Sequence, residues 1–130
     1  MSEQQNPIRE AISSAIAEND VILFMKGSPE APACGFSART AGVLQSLGVQ
    51  FAAVDILPDP RIRQELSALS QWPTIPQLFV GGELVGGCDI VTEMFESGEL
   101  AELLGAEQQA EGPDGAVAEH ATLQIENRLA

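Results

Sequence analysis

The segment Gln77-Leu78-Phe79-Val80-Gly81-Gly82-Glu83-Leu84-Val85 predicts a β-hairpin, because two short apolar runs flank a two-glycine turn. Upstream of it, the uninterrupted apolar run Val21–Met25 is typical of a strand that is buried on both faces. Residues 50–55 indicate a second strand, and a helix from near Cys34 to Leu47 is expected between these two strands. The hairpin therefore follows a β-α-β unit.

Further helices are predicted around this framework. Asn6-Pro7 and Asp59-Pro60 each place a good N-cap residue before a proline at the first helical position, so each pair indicates a helix start. Asp89 is expected to cap a helix after the hairpin, and residues 99–104 favour a short last helix. A β-α-β half joined to a β-β-α half predicts an α/β thioredoxin-like fold, in which about five helices flank a four-stranded mixed β-sheet.

The composition changes after Gly105. We therefore predict one domain over residues 1–105 and an acidic C-terminal tail over residues 106–130, which carries five acidic residues and one arginine. Residues 108–115 are typical of a linker. Residues 117–129 are compatible with a weak helix, although their apolar positions form no clean face.

The overall charge restricts the partners of this chain. The formal net charge is −13, so a phosphate backbone or an anionic membrane surface would be repelled, and we expect neither nucleic acid nor membrane as a partner. No uncharged apolar run reaches the length of a membrane span. Residues 1–7 resemble neither a secretory signal nor a transit peptide, which favours a cytoplasmic location, or an organelle matrix if a presequence has been removed.

The chain has two cysteines, Cys34 and Cys88, and we expect both thiols to be free in a reducing compartment. A closed zinc site usually needs four Cys or His ligands. Two cysteines and the single His120, which lies in the predicted tail, do not supply them, so structural zinc within one chain is not expected.

Cys34 is the candidate reactive group. A cysteine at a helix N-terminus meets free backbone N–H groups and the positive end of the helix dipole, which stabilise the thiolate and lower its pKa. Lys26, at the end of the preceding strand, would add positive charge. Position 37, where a dithiol motif would have its second cysteine, is Ser37. Cys34 therefore cannot resolve a mixed disulfide internally, but it can bind metal or exchange with an external thiol. An inert, buried Cys34 is the alternative.

Two further segments and one arginine suggest a binding site. In Trp72-Pro73-Thr74-Ile75-Pro76, a cis bond before Pro76 would expose the backbone of Ile75 for strand-like pairing with an extended peptide; an ordinary edge proline is the alternative. Gly86-Gly87-Cys88-Asp89 would present backbone N–H groups at a helix start to a small carboxylate, with Asp89 binding an ammonium group or acting only as a cap. Arg63 is a second candidate carboxylate ligand or a solvated surface residue.

Four motifs together resemble the monothiol glutaredoxins of the CGFS type, and the similarity covers about residues 6–104. They are Met25-Lys26-Gly27-Ser28-Pro29, Cys34-Gly35-Phe36-Ser37, Trp72-Pro73-Thr74-Ile75-Pro76-Gln77 and Gly86-Gly87-Cys88-Asp89. The resemblance implies that glutathione lies beside Cys34. Lys26 and Arg63 would bind its glycine carboxylate, and Ile75, ahead of cis-Pro76, would pair with its backbone. The N–H of Cys88 and the side chain of Asp89 would hold its γ-glutamyl end.

The resemblance also implies a [2Fe–2S] cluster. Such a cluster usually takes four thiolate ligands, which two chains and two glutathiones would supply, with Cys34 as the metal ligand from each chain of a cluster-bridged homodimer. Expected partners are apo iron–sulfur proteins, which would receive the cluster, and BolA-like proteins. Cys34 would instead be catalytic in a glutathione-dependent monothiol oxidoreductase that removes glutathione from protein thiols. A third interpretation is an interaction module that recruits partners through its tail.

Overall fold

The computed structural model describes residues 7–105 and 120–123. In these ranges the chain forms five helices, which are α1 (Pro7–Glu18), α2 (Gly35–Ser46), α3 (Pro60–Ser70), α4 (Cys88–Ser97) and α5 (Glu99–Leu104). It forms five strands, which are β1 (Val21–Met25), β2 (Phe51–Asp55), β3 (Gln77–Val80), β4 (Glu83–Gly86) and β5 (His120–Leu123).

The strands form one mixed sheet in the order β4-β3-β1-β2-β5. β1 is parallel to β2 and antiparallel to β3, and β3 pairs with β4 as the predicted hairpin. The four predicted strands and the five predicted helices are therefore present, and the predicted thioredoxin-like architecture is confirmed. The helix start expected at Asn6 lies just outside the described residues, while α1 itself begins at Pro7.

The C-terminal segment differs from the prediction at four residues. His120–Leu123, which we expected to belong to a weak helix, forms β5 and pairs parallel with β2, with Phe51 opposite His120 and Val54 opposite Leu123. Without β5, β2 would be an edge strand with unpaired backbone groups. A segment without an apolar helical face gains more from satisfying those groups than from forming an isolated helix. The rest of the predicted linker and weak helix lies outside the described residues.

The central strand β1 divides the core into two layers. Ile22 and Phe24 point into the layer that is covered by α1 and α3, whereas Leu23 and Met25 point into the layer covered by α2, α4 and α5. All four side chains are completely buried, as the uninterrupted apolar run predicted. Because β1 is packed on both faces, the backbone position of the residue that follows it, Lys26, is well fixed.

Two of the predicted helix N-caps lie within the described residues, and one of them is confirmed. Asp59 caps α3 by accepting a hydrogen bond from the Arg61 N–H at 3.0 Å, and Pro60 occupies the first turn. Asp89 does not cap α4; the N-cap is Gly87, and Asp89 lies in the first turn. The prediction was wrong because α4 begins one residue before Asp89. Within the described ranges, no helix is long and apolar enough to cross a membrane.

Candidate functional site

Cys34 occupies the N-cap of α2, with an extended backbone and its Sγ accepting a hydrogen bond from the Ser37 N–H at 3.5 Å. The side chain is partly exposed. The free backbone N–H groups of the first helical turn therefore face the sulfur, as the sequence predicted. The alternative of an inert, buried cysteine does not fit this position.

These surroundings hold the pKa of the Cys34 thiol below its ordinary value. The largest cause is the hydrogen bond from the Ser37 N–H. Partial burial acts in the opposite direction, but the Ser37 hydroxyl, the Phe36 N–H and the positive charge of Lys26 add to the lowering. The thiolate is the nucleophile and the metal ligand, so the site favours the reactive form of the cysteine.

The Ser37 side chain connects Cys34 to the end of β1. It is completely buried, its Oγ accepts a hydrogen bond from the Lys26 N–H at 3.0 Å, and it lies 3.7 Å from the Cys34 Sγ. Because the Lys26 N–H occupies a lone pair of the Ser37 Oγ, the hydroxyl hydrogen of Ser37 remains available to donate to the Cys34 thiolate. The sequence analysis treated Ser37 only as the position of a missing second thiol and did not predict this contact.

We expect Ser37→Ala to raise the pKa of Cys34. The variant keeps the backbone N–H of residue 37 but removes the hydroxyl, so the thiolate loses one stabilising hydrogen bond. A raised pKa leaves less thiolate at any pH within the titration range, so the rise in the rate of alkylation by iodoacetamide should move to higher pH. Measuring that rate against pH gives the pKa directly.

Ser46→Ala is the matched control for this prediction. It removes a serine hydroxyl from the last turn of the same helix, where Ser46 donates a hydrogen bond to the Val43 carbonyl at 2.8 Å. Its alkylation profile should match that of the original chain. A Ser37→Ala profile that is also unchanged would show that the Ser37 hydroxyl does not contribute to the pKa of Cys34.

The loop between β1 and α2 is fastened to the end of β2. The Asp55 carboxylate accepts hydrogen bonds from the N–H groups of Gly27 at 2.9 Å and Leu57 at 3.0 Å. Within the loop, Gly27 and Pro32 form an isolated bridge, and the Ala33 N–H donates to the Lys26 carbonyl at 2.9 Å. These contacts fix the approach to Cys34. Asp55 was not predicted, although an acid at the carboxyl end of a strand parallel to β1 is the signal that could have identified it.

A groove of about 210 Å³ lies beside the N-terminus of α2. It contains four of the predicted site residues, Ile75, Pro76, Cys88 and Asp89, and the peptide bond between Ile75 and Pro76 is cis, as expected. Three other lining residues, Trp72, Thr74 and Gly87, lie in the two segments that suggested a binding site, whereas Phe36 and Ile90 were not predicted to line it. Phe36 is 64% exposed, which places an apolar surface next to the thiol.

Apart from Cys34 itself, two predicted site residues, Lys26 and Arg63, do not line the groove. Lys26 is close enough to Cys34 to act on its charge, as described above. Arg63 is exposed on α3, and its Nη2 lies 3.5 Å from the carbonyl of Pro73, in the loop that forms one wall of the groove. The structure thus brings six of the seven predicted site residues to the thiol or to the walls of the adjoining groove, and Arg63 contacts the loop that carries one of those walls.

Cys88 differs from Cys34 in its environment. It is buried at the start of α4, with its Sγ 3.9 Å from the Thr92 Oγ1, and both cysteines are free. Among the described residues, no three His, Cys, Asp or Glu side chains are grouped closely enough to hold a metal ion. The described residues therefore do not complete a metal centre at Cys34 within one chain.

Comparison with known proteins assigns the family. A family model described as glutaredoxin matches residues 21–85. The chain is 54% identical over 108 residues to "Glutaredoxin 4" of Escherichia coli (strain K12), covering 81% of this chain and 94% of that protein. It is 53% identical over 110 residues to "Monothiol glutaredoxin-5, mitochondrial" of Saccharomyces cerevisiae, covering 82% and 73%.

A solved structure extends this similarity to the fold. The solution structure of a monomeric truncated mutant of Trypanosoma brucei 1-C-Grx1 matches with a TM-score of 0.71 and 43% sequence identity, over 79% of this chain and 96% of that one. The two proteins share one architecture, and this chain has a serine, Ser37, where a dithiol site would have its second cysteine. The chain therefore belongs to the glutaredoxin family, as a monothiol glutaredoxin.

Proposed function

We propose that this monothiol glutaredoxin binds glutathione and, as a pair of chains, carries a [2Fe–2S] cluster that it delivers to apo proteins. The observation that carries the proposal is the state of Cys34, a partly exposed thiol with a lowered pKa that has the hydroxyl of Ser37, not a second thiol, 3.7 Å from its Sγ. A soft thiolate ligand with no adjacent thiol can hold iron without forming an internal disulfide.

The chemistry of the groove supports glutathione as the small ligand. Glutathione has two carboxylates and one ammonium group. Lys26 and Arg63 would bind the glycine carboxylate, and the first turn of α4 would meet the γ-glutamyl carboxylate through the Cys88 N–H while Asp89 binds the ammonium group. The backbone of Ile75, next to cis-Pro76, would pair with the peptide.

The proposed cluster is cargo that is shared between two chains. Because the described residues contain no group of metal-ligating side chains, Cys34 from each chain and the sulfur of one glutathione on each would complete the four thiolates. Half of the ligands are then exchangeable small molecules, which suits transfer. Recipient apo iron–sulfur proteins and a BolA-like partner complete the proposal, with the cytoplasm or an organelle matrix as the compartment.

Anaerobic reconstitution tests this function. The full chain is incubated with iron and sulfide, with and without glutathione, and followed by visible absorption and by mass in solution. We expect cluster absorption and a doubling of the mass only when glutathione is present. A chain that stays colourless and monomeric with glutathione would exclude the cluster-carrier function.

A second candidate function uses the same thiolate as a nucleophile. The Cys34 sulfur would attack the glutathionyl sulfur of a protein mixed disulfide, forming a Cys34–glutathione disulfide and releasing the protein thiol. A second glutathione would then reduce Cys34 and leave as glutathione disulfide. The lowered pKa of Cys34 favours this reaction. Rapid turnover of a glutathionylated protein, together with a failure to assemble a cluster, would select this function over the first.

A further inference from the structure

Gln77 is a completely buried polar residue at the start of β3. Its Nε2 donates hydrogen bonds to the carbonyl of Trp72 at 2.8 Å and to the carbonyl of Thr74 at 3.1 Å. Both carbonyls belong to the loop over residues 72–76, which forms one wall of the groove. Gln77 itself is not among the groove-lining residues, so any effect it has on a ligand must pass through this loop.

The number of donors on Gln77 matches the number of carbonyls. A primary amide nitrogen carries two hydrogens, and here each is directed to one loop carbonyl. The Oε1 of Gln77 is buried and has no hydrogen-bond partner among the described residues. An apolar side chain of the same size would avoid the free-energy cost of burying an oxygen without a partner. It would, however, leave the carbonyls of Trp72 and Thr74 without their donor.

We propose that Gln77 is a positioning residue for the glutathione groove, because its amide fixes the loop over residues 72–76 in the shape that presents the Ile75 backbone. This inference rests on the proposed binding of glutathione. Two other side chains bond the loop in the described structure: the half-buried Ser70 Oγ accepts a hydrogen bond from the Trp72 N–H at 3.1 Å, and the exposed Arg63 lies 3.5 Å from the Pro73 carbonyl. The completely buried Gln77 therefore provides the hydrogen bonds that are shielded from solvent, and these fix the conformation of the loop before a ligand binds.

Two variants of similar shape test the proposal. Gln77→Met keeps the volume and removes both donors, and Gln77→Glu supplies at most one donor, only while its carboxyl group is protonated. We expect Gln77→Met to weaken glutathione binding about tenfold, as the loss of two neutral hydrogen bonds would allow. The affinity of Gln77→Glu, divided by that of the original chain at the same pH, should fall as pH rises through the titration of the new carboxyl group.

Two controls separate positioning from general destabilisation. Ile12→Ala removes a buried side chain from α1 and supplies a comparably destabilised chain, which should bind glutathione normally while it remains folded. The alkylation profile of Cys34 should be unchanged in Gln77→Met, because no hydrogen bond from Gln77 reaches the thiol. Equal affinities of Gln77→Met and the original chain, or an equal loss in Ile12→Ala, would overturn the proposal.

Hydrogen exchange distinguishes a failure of this inference from a failure of the proposed function. Exchange at the Trp72 amide, which donates a hydrogen bond to the Ser70 Oγ at 3.1 Å, is measured without ligand, in Gln77→Met and in the original chain. If the original chain binds no glutathione, the proposed function fails, but faster exchange in the variant would still support Gln77 as the residue that orders the loop. Unchanged exchange would overturn it.

Discussion

Substitution of Cys34 by serine is expected to abolish cluster assembly and leave the chain monomeric. Cys34 is the only thiol among the described residues that is not buried, and a serine hydroxyl does not provide the soft, readily ionised ligand that iron in such clusters requires. If the two chains are held together chiefly by the cluster, loss of the ligand also removes the dimer. Anaerobic reconstitution with iron, sulfide and glutathione, read by absorption and mass, measures both effects.

Cys88→Ser provides the matched control for this prediction, since it replaces the other cysteine by the same residue. The Cys88 side chain is buried at the start of α4, and its proposed contact with glutathione uses the backbone N–H, which serine keeps. This variant should therefore assemble a cluster and dimerise. Equal loading of the Cys34→Ser variant, or loss of loading only in Cys88→Ser, would contradict the assignment of Cys34 as the ligand.

Local patterns in the sequence predicted most of the fold. The two glycines of the hairpin, the uninterrupted apolar run of β1 and the cap before Pro60 each act within a few residues, so their signals survive in the sequence alone. The cap of α4 was misplaced by a shift of two residues, from Gly87 to Asp89. Such boundary shifts arise because Gly and Asp both serve at helix starts and the choice depends on the preceding turn.

Contacts between distant parts of the chain were harder to predict. β5 pairs with β2, which lies far from it in the sequence. The β5 segment has only weak helical and strand preferences, so it gives no local sign of this pairing. Asp55 reaches Gly27 from the neighbouring strand, which requires the strand register to be known. Tertiary structure, not local propensity, decides both contacts.

In the candidate site too, features set by short motifs were predicted, whereas contacts between distant residues were not. The position of Cys34 at a helix start and the cis bond before Pro76 followed from short motifs and are present in the structure. The hydroxyl of Ser37 and the amide of Gln77 act through hydrogen bonds whose partners depend on the packed fold. A sequence motif contains these residues but does not show which neighbouring groups they contact.

Substitution of Gly27 by alanine is expected to lower the free energy of unfolding by about 3 kcal/mol, a large effect for adding one methyl group. Gly27 has a φ of +87°, and a Cβ built there would lie 2.5 Å from the Ala31 carbonyl oxygen and 2.7 Å from the Ala33 nitrogen. Both are backbone atoms, so no side chain can rotate away. The loop must open, which strains the bridge to Pro32 and the hydrogen bond to Asp55.

Gly48→Ala separates the clash at Gly27 from backbone strain alone. Gly48 also has a positive φ, +71°, but a Cβ there meets no atom within 4 Å, so its substitution should cost only the left-handed conformation, about 1 kcal/mol. Urea denaturation of both variants measures this difference, and the alkylation profile of Cys34 should change in Gly27→Ala alone. Equal destabilisation of the two variants would mean that the loop before α2 can move to accommodate the new methyl group at little cost. The packing of this loop would then not be what fixes the position of Cys34.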